Sequence, residues 1–181
     1  MTGFKCRISF KCNSPKGLFF LGEKMNLVKV HWKFFKLCKE AGADPNNQLL
    51  HNESGRPGVL ILKLKYKGED RDFVVPMKSN VSANTDRNTF FALPPNSRTK
   101  PGNYHGIYYV KLFPIHKKYI QPYLIDGNAY LQSIKIIIDD PDNEKEIVDA
   151  CQSYLIEYEN GNKNYYTPNI DLIIEQIDKM I

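Results

Sequence analysis

Two apolar β-type segments joined by a short polar turn constrain the fold of this chain more than any other feature. The first, Gly58–Tyr66, reads GVLILKLKY, and the second, residues 71–77, reads RDFVVPM. The polar residues 67–70 between them favour a tight turn. Alternating apolar residues around such a turn predict an antiparallel hairpin whose first strand has one apolar face, made of Leu60, Leu62, Leu64 and Tyr66. Pro76 indicates an edge position or a strand end, because proline donates no ladder hydrogen bond.

Three further segments have apolar residues at helical spacing. We predict a helix over residues 30–41 and another over residues 143–158. A last helix is expected to begin with Thr167 as its N-cap and Pro168 in its first turn, and to run to the C terminus. These helices need a sheet or each other to bury their apolar faces.

The remaining segments are assigned mostly to strands and loops. We predict a short strand over residues 89–93, a clear strand over residues 106–113 and irregular structure over residues 78–86. Residues 129–138 fit either a strand or a helix, and three consecutive isoleucines favour a strand end. The fold class is therefore α+β, with a twisted antiparallel β-sheet and flanking helices.

Residues 1–24 differ from the rest of the chain. They hold five basic residues against Glu23 alone, whereas the remaining 157 residues are nearly neutral. The codons for Gly22, Glu23 and Lys24 are purine-rich and precede an ATG, as a bacterial ribosome-binding site would. We therefore expect Met25 to be the natural start, residues 1–24 to be a mis-called or disordered extension, and residues 25–181 to form one domain. A genuine basic N-terminal arm is the alternative.

Several classes of protein are excluded by what the sequence lacks. It has no apolar run long enough for a membrane span, and its four cysteines do not make a disulfide framework or a zinc site, so a reducing cytoplasm is expected. It has no glycine-rich phosphate loop of the standard nucleotide-binding kinds. The acids within residues 139–144 could hold a divalent metal, but a solvated turn leading into a helix is favoured. We expect no metal and no cofactor.

Residues 87–125 contain six basic residues and no acid. Two histidines and five tyrosines lie among them. Cations interleaved with aromatic rings can pair with phosphates and stack on bases, which indicates an RNA-binding surface. The alternative is a solvated basic face with core tyrosines.

Cutting RNA without a metal requires groups that deprotonate the ribose 2′-OH, hold the phosphate and offset its charge. Suitable side chains occur at Lys78-Ser79-Asn80, where a strand is expected to end, and at His105, where another is expected to begin. His51, in the loop before the hairpin, is a further candidate. Strand ends give rigid placement, so these groups form a candidate active site.

The order RPGVLILKLKYKGEDRDFVVPMKSN, followed by GIYYVKLFPI, resembles the type III toxin–antitoxin endoribonucleases of the ToxN, AbiQ, CptN and TenpN superfamily. The Lys-Ser-Asn form is closest to the CptN branch. The resemblance implies a MazF/Kid-like fold and cleavage of cellular mRNA to 2′,3′-cyclic phosphate and 5′-OH ends. It also implies inhibition by a pseudoknotted antitoxin RNA that the toxin processes, a closed toxin–RNA ring, and a role in growth arrest and phage defence.

Roles for individual residues follow as hypotheses. Ser79 and Asn80 bind the scissile phosphate or orient the 2′-OH, Lys78 stabilises phosphoryl charge, and His105 is the acid or base. The residues expected to contact RNA elsewhere are His51, Arg56, Arg87, Arg98, Lys100, Lys111, Lys117 and Lys118. The main alternative function is a non-catalytic RNA-binding module.

Overall fold

The predicted hairpin lies at the centre of the structure. In this computed structural model, which describes residues 25–46, 49 and 57–180, strand β2 (Gly58–Tyr66) pairs antiparallel with strand β3 (Glu69–Val81). Lys67 and Gly68 connect them with φ angles of 50° and 82°. Two consecutive positive φ angles are typical of a type I′ turn, whose twist matches that of the strands. The expectations for residues 1–24 fall outside the described residues.

Seven strands of the described residues join in one antiparallel sheet around this hairpin. Besides β2 and β3, the strands are β1 (Asn26–Val30), β4 (Phe90–Leu93), β5 (Tyr104–Tyr108), β6 (Phe113–Pro114) and β7 (Ile120–Pro122). The strand order in the sheet is β4-β5-β3-β2-β1-β7, and β6 pairs with β3 beside this path. The short strand predicted over residues 89–93 is thus confirmed as β4.

Helices cover both faces of the sheet, which confirms the α+β class. They are α1 (Trp32–Glu40), α2 (Ala129–Asp139), α3 (Pro141–Glu159) and α4 (Ile170–Asp178). One buried cluster joins the sheet to α2 and α3, and a second joins the other face to α1 and α4. Among the described residues, no helix combines the length and hydrophobicity that crossing a bilayer needs.

The strand favoured over residues 129–138 is wrong, because this segment is helix α2. Asn128 caps it by accepting a hydrogen bond from the Leu131 N–H, and the buried positions Leu131, Ile134 and Ile138 repeat at helical spacing. Ile136, the first residue of the isoleucine run, is 73% exposed, whereas Ile138, the last, is fully buried. The run therefore crosses from the exposed to the buried side of a helix.

Helix α4 begins two residues later than predicted. Asn169 is its N-cap and accepts a hydrogen bond from the Leu172 N–H. Thr167 instead bonds through its hydroxyl to Tyr154 on α3. The Thr-Pro pair therefore belongs to the connection that docks on α3 rather than to the helix itself.

Strand β3 is longer than predicted, and Pro76 does not end it. Up to Pro76 the strand pairs with β2, and from Met77 it pairs with β5. The proline thus lies where the strand changes partners, and residues 78–81 are strand rather than irregular structure. The strand predicted over residues 106–113 is divided, because a 3₁₀ turn at Tyr109–Lys111 separates β5 from β6.

The alternation predicted for β2 is interrupted by a bulge. The pairing of β2 with β3 shifts register between Ile61 and Leu64, and Lys63 has a φ of 57°. Val59 and Ile61 before the bulge, and Leu64 and Tyr66 after it, all belong to the same core cluster. One inserted residue therefore allows odd and even positions to share one face.

Gly106 permits β4 and β5 to approach each other beside the candidate site. It pairs with Ala92 on β4 and with Lys78 on β3. A Cβ atom at Gly106 would lie 2.4 Å from the backbone oxygen of Phe91 and 2.8 Å from the Phe90 ring. Since the nearest atom belongs to the backbone, no side-chain rotation could relieve the contact.

We predict that Gly106→Ala lowers the free energy of unfolding by roughly 2–3 kcal/mol, because the neighbouring strand must move. Gly68→Ala is the matched control, since nothing lies within 4 Å of its Cβ position but its φ is +82°. Its cost should be about 1–2 kcal/mol, from backbone conformation alone. Urea denaturation measures both, and equal stability of Gly106→Ala and wild type would contradict the close approach.

Candidate active site

The pairing of β3 with β5 brings Ser79 and His105 to one face of the sheet. Met77 pairs with Ile107 and Lys78 with Gly106, and the register then shifts before Val81. Side chains alternate along a strand, so Ser79 and His105 lie on the face that holds Met77 and Ile107. Both line the same cleft, which has a volume of about 250 Å³.

The cleft combines polar groups with one cation. Among the described residues its lining contains a single ionised side chain, that of Arg98, and no carboxylate. The lining residues are Pro57, Met77, Ser79, Asn96, Ser97, Arg98, His105, Tyr123, Asn128, Tyr130 and Leu131. Such a lining suits an anionic ligand, since no described group in it carries a negative charge that would repel a phosphate.

Side chains of β3 hold the loop that carries Arg98. The amide nitrogen of Asn80 donates to the carbonyl oxygen of Arg98 at 2.8 Å, and its amide oxygen accepts from the Lys100 N–H at 2.8 Å. On the loop, Asn96 accepts from the Arg98 N–H at 2.8 Å. The sequence predicts that Asn80 binds RNA, but in this structure both the nitrogen and the oxygen of its side-chain amide form hydrogen bonds with the loop.

The Ser79 hydroxyl is oriented by the same loop. The amide nitrogen of Asn96 donates to Ser79 Oγ at 3.0 Å. Because this bond uses a lone pair of Oγ, the hydroxyl proton remains available for donation within the cleft. Ser79 is thus placed to offer a hydrogen bond to an oxygen of a bound anion.

Among the described residues that line this cleft, His105 is the only histidine, and just 3% of it is exposed. Its Nδ1 lies 3.0 Å from the carbonyl oxygen of Pro94 and within hydrogen-bond distance of the Tyr130 hydroxyl. Burial lowers the pKa of His105, and the bond to Pro94 offsets only part of this effect. Burial also raises the pKa of Tyr130 to about 12, so its hydroxyl stays protonated at neutral pH.

Lys78 is not brought to this cleft. It pairs with Gly106 and so lies on the opposite face, where its Nζ is 4.7 Å from the centre of the Tyr108 ring. Burial lowers the pKa of this lysine. Arg87 lies on the same side, with its guanidinium 4.3 Å from the centre of the Tyr104 ring. The cation at the cleft is therefore Arg98, where the sequence had suggested Lys78.

The other residues predicted to contact RNA are dispersed. Lys100 is exposed on the loop beside Arg98. Lys111 is only 9% exposed, and this burial contradicts its predicted RNA contact. Lys117 lines a different hollow with Arg71, and Lys118 lies over the Tyr119 ring. His51 and Arg56 fall outside the described residues.

Sequence reasoning missed Asn96 and Tyr130. Asn96 lies in the proline-rich loop, where only the polar character of the segment distinguished it. Tyr130 lies in the first turn of α2, but the sequence pattern of residues 129–138 favours a strand and therefore does not indicate a helix start at this residue. Recognising Asn128 as an N-cap was the signal that could have placed Tyr130 at a helix start facing the cleft.

The acids of residues 139–144 have structural roles. Asp140 caps α3 by accepting from the Asp142 and Asn143 N–H groups, and Lys135 forms an ion pair with Asp139. The helix-turn interpretation of these acids is thus confirmed. In the part of the chain that the structure describes, no three His, Cys, Asp or Glu side chains are grouped as metal ligands.

The fold and cleft place this chain among α+β proteins with an antiparallel sheet covered by helices on both faces, and two solved structures share this fold. One comes from work on bacterial type III toxin–antitoxin systems, in which a non-coding RNA pseudoknot selectively inhibits the toxin. It superposes with a TM-score of 0.58 and 14% sequence identity, and the match covers 87% of this chain and 98% of that chain. The other concerns a bacterial antiviral system that a processed non-coding RNA regulates; its TM-score is 0.56 at 17% identity, over 83% and 95% of the two chains. The sequence itself matches no protein-family model and no curated protein.

We predict that burial of His105 makes stability depend on pH. Because its pKa is lowered in the folded state, the unfolded chain binds this proton more tightly. The stabilisation is complete above about pH 6.5, the ordinary histidine value, and is lost as the pH falls towards the folded pKa. Urea denaturation at several pH values should show a weaker dependence in His105→Gln than in the control His31→Gln. An identical dependence in both variants would rule out the buried neutral imidazole.

Proposed function

We propose that this chain is the endoribonuclease toxin of a type III toxin–antitoxin system. The observation that carries the proposal is that one cleft, with no carboxylate among its described lining residues, holds the Ser79 hydroxyl, the His105 imidazole and the Arg98 guanidinium. The fold shared with the two solved bacterial structures supports it. The same groups provide binding and proton transfer at a phosphodiester.

Substrate binding relies on Arg98 and Ser79. The guanidinium pairs with a non-bridging phosphate oxygen, and the serine hydroxyl donates a hydrogen bond to the same phosphate. Asn80 and Asn96 hold the loop and the serine at fixed positions, so little reorganisation is needed when the phosphate arrives. These contacts grow stronger as negative charge builds up on the phosphoryl oxygens.

Cleavage uses the ribose 2′-OH as the nucleophile. His105 accepts its proton at the edge of the ring that lines the cleft. The bond from the 2′-oxygen to phosphorus forms, the bond from phosphorus to the 5′-oxygen breaks, and the departing oxygen takes a proton from water. The products are a 2′,3′-cyclic phosphate and a 5′-OH, and no metal takes part in these steps.

The regulatory partner is a repeat-derived antitoxin RNA. In this proposal a pseudoknotted RNA occupies the cleft, is cut from its precursor by the toxin, and closes with it into a ring in the cytoplasm. Release of the toxin lets it cut mRNA and arrest growth, which suits phage defence. Within this proposal the Lys78-Ser79-Asn80 segment favours the CptN branch as the nearest one.

Incubation of the purified protein with RNA in EDTA tests the activity. We predict cyclic-phosphate ends, and a loss of roughly 10²–10³-fold in the single-turnover rate for Ser79→Ala, the usual effect of removing one donor to transition-state charge. His105→Ala should be at least as slow. Lys78→Ala is the matched control from the opposite face and should change the rate by less than about threefold.

Two outcomes would contradict this assignment. Cleavage that stops in EDTA, or that leaves 3′-OH ends, would indicate a metal-dependent nuclease. RNA binding with no cleavage under any condition would instead support the non-catalytic RNA-binding module.

Arg98→Ala is predicted to weaken RNA binding and to reduce the dependence of log Kd on log salt by about one unit, because one phosphate contact is lost. Lys36→Ala is the control, since Lys36 lies on α1, on the other face of the sheet, and pairs with Glu40 at 3.7 Å. Filter binding at several salt concentrations measures both. An unchanged slope for Arg98→Ala would remove this residue from the RNA contact.

A further inference from the structure

One carbonyl oxygen beside the cleft receives two hydrogen-bonding groups. Pro94 O lies 3.0 Å from His105 Nδ1 and 2.8 Å from the Tyr130 hydroxyl, and these two groups are themselves in contact. The rings of His105 and Tyr130 have centroids 5.9 Å apart. Three elements meet here, since Pro94 follows β4, His105 lies on β5 and Tyr130 belongs to α2.

We propose that Tyr130 and the Pro94 carbonyl are positioning groups that hold the proton of His105 on Nδ1 and thereby keep Nε2 as the atom that exchanges protons in the cleft. Its catalytic consequence rests on the proposed function. The tautomer itself does not, and it can be measured without any activity.

The hydrogen-bonding capacities of the three groups favour this tautomer. A carbonyl oxygen only accepts, so the 3.0 Å contact between Nδ1 and Pro94 O is a hydrogen bond only when Nδ1 carries the proton. Tyr130 then donates its own proton to the second lone pair of the same oxygen. With Nδ1 unprotonated, the single Tyr130 proton would have to serve both Nδ1 and Pro94 O, and the lone pairs of these two atoms would face each other at 3.0 Å, which is unfavourable in a buried place.

The two positioning groups are rigidly placed. Leu93 pairs with His105, so the register between β4 and β5 fixes the position of the Pro94 carbonyl beside the imidazole. Pro95 restricts the backbone of Pro94 to an extended conformation. Tyr130 is fixed in the first turn of α2, behind the N-cap Asn128. The imidazole therefore cannot turn over without losing the Pro94 contact.

This arrangement serves both protonation states of the histidine. The Nδ1 proton remains in place while Nε2 gains or loses its own, and Nε2 has no hydrogen-bond partner among the described residues. The titratable and charged groups lining the cleft with His105 are Tyr130, Tyr123 and Arg98, and no described carboxylate is among them. Hydrogen bonding at Nδ1 is thus the main local support for the charged form.

Nitrogen-15 NMR of the imidazole in the full chain tests the proposal. We expect Nδ1 protonated and Nε2 unprotonated in the neutral wild type. In Tyr130→Phe the Nδ1–H form should lose part of its predominance. His105 should also titrate at lower pH, because the Tyr130 oxygen, which lies within hydrogen-bond distance of Nδ1, no longer accepts from the protonated ring. Tyr104→Phe is the control, since Tyr104 precedes His105 but lies on the opposite face.

Kinetics then connects the tautomer to cleavage. Tyr130→Phe should lower kcat by roughly three- to tenfold, the effect of one net hydrogen bond, with KM unchanged and the acidic limb of the pH–rate profile moved to lower pH. A wild type protonated on Nε2, or a Tyr130→Phe variant with an unchanged imidazole titration, would overturn the proposal. The expected tautomer without any RNA cleavage would instead refute the proposed function and leave the positioning geometry intact.

Discussion

The site depends on how β3 continues past Pro76. Up to the proline the strand belongs to the hairpin, and beyond it the strand pairs with β5. This change of partner joins the local hairpin to the C-terminal half of the sheet and brings Ser79 opposite the His105 region. A strand that ended at the proline would leave the hydroxyl and the imidazole on unconnected loops.

Pairing through this strand also sorts the polar residues between two faces. Ser79 and His105 share one side with helix α2, whereas Lys78 and Arg87 lie over tyrosines on the reverse side. Neighbouring residues in a strand point in opposite directions. The Lys-Ser-Asn segment therefore cannot act as one unit, and the cation near the serine comes from the loop that its neighbours hold.

The sequence was sufficient for features that depend on local pattern. The hairpin, the helices α1 and α3, and the α+β class follow from periodicity and turn residues, and the proximity of Ser79 to His105 was anticipated from strand ends. Features that depend on pairing were missed. The bulge in β2, the extension of β3 to Val81 and the division of residues 106–113 arise from register between distant strands, which a single sequence does not encode locally. Asn96 and Tyr130 joined the site only through tertiary contacts.

The anchoring of the loop to β3 has a consequence for how such a protein tolerates change. The Asn80 side chain donates a hydrogen bond to the backbone of the loop, and the neighbouring Ser79 accepts a hydrogen bond from Asn96 on the same loop. Replacement of either residue therefore has two effects: it loosens the attachment of the loop to β3, and it disturbs the hydrogen bonding around the Ser79 position. Substitutions on β3 and on the loop are therefore coupled. A substitution at Ser79 or Asn80 is expected to be tolerated only together with a compensating substitution on the loop.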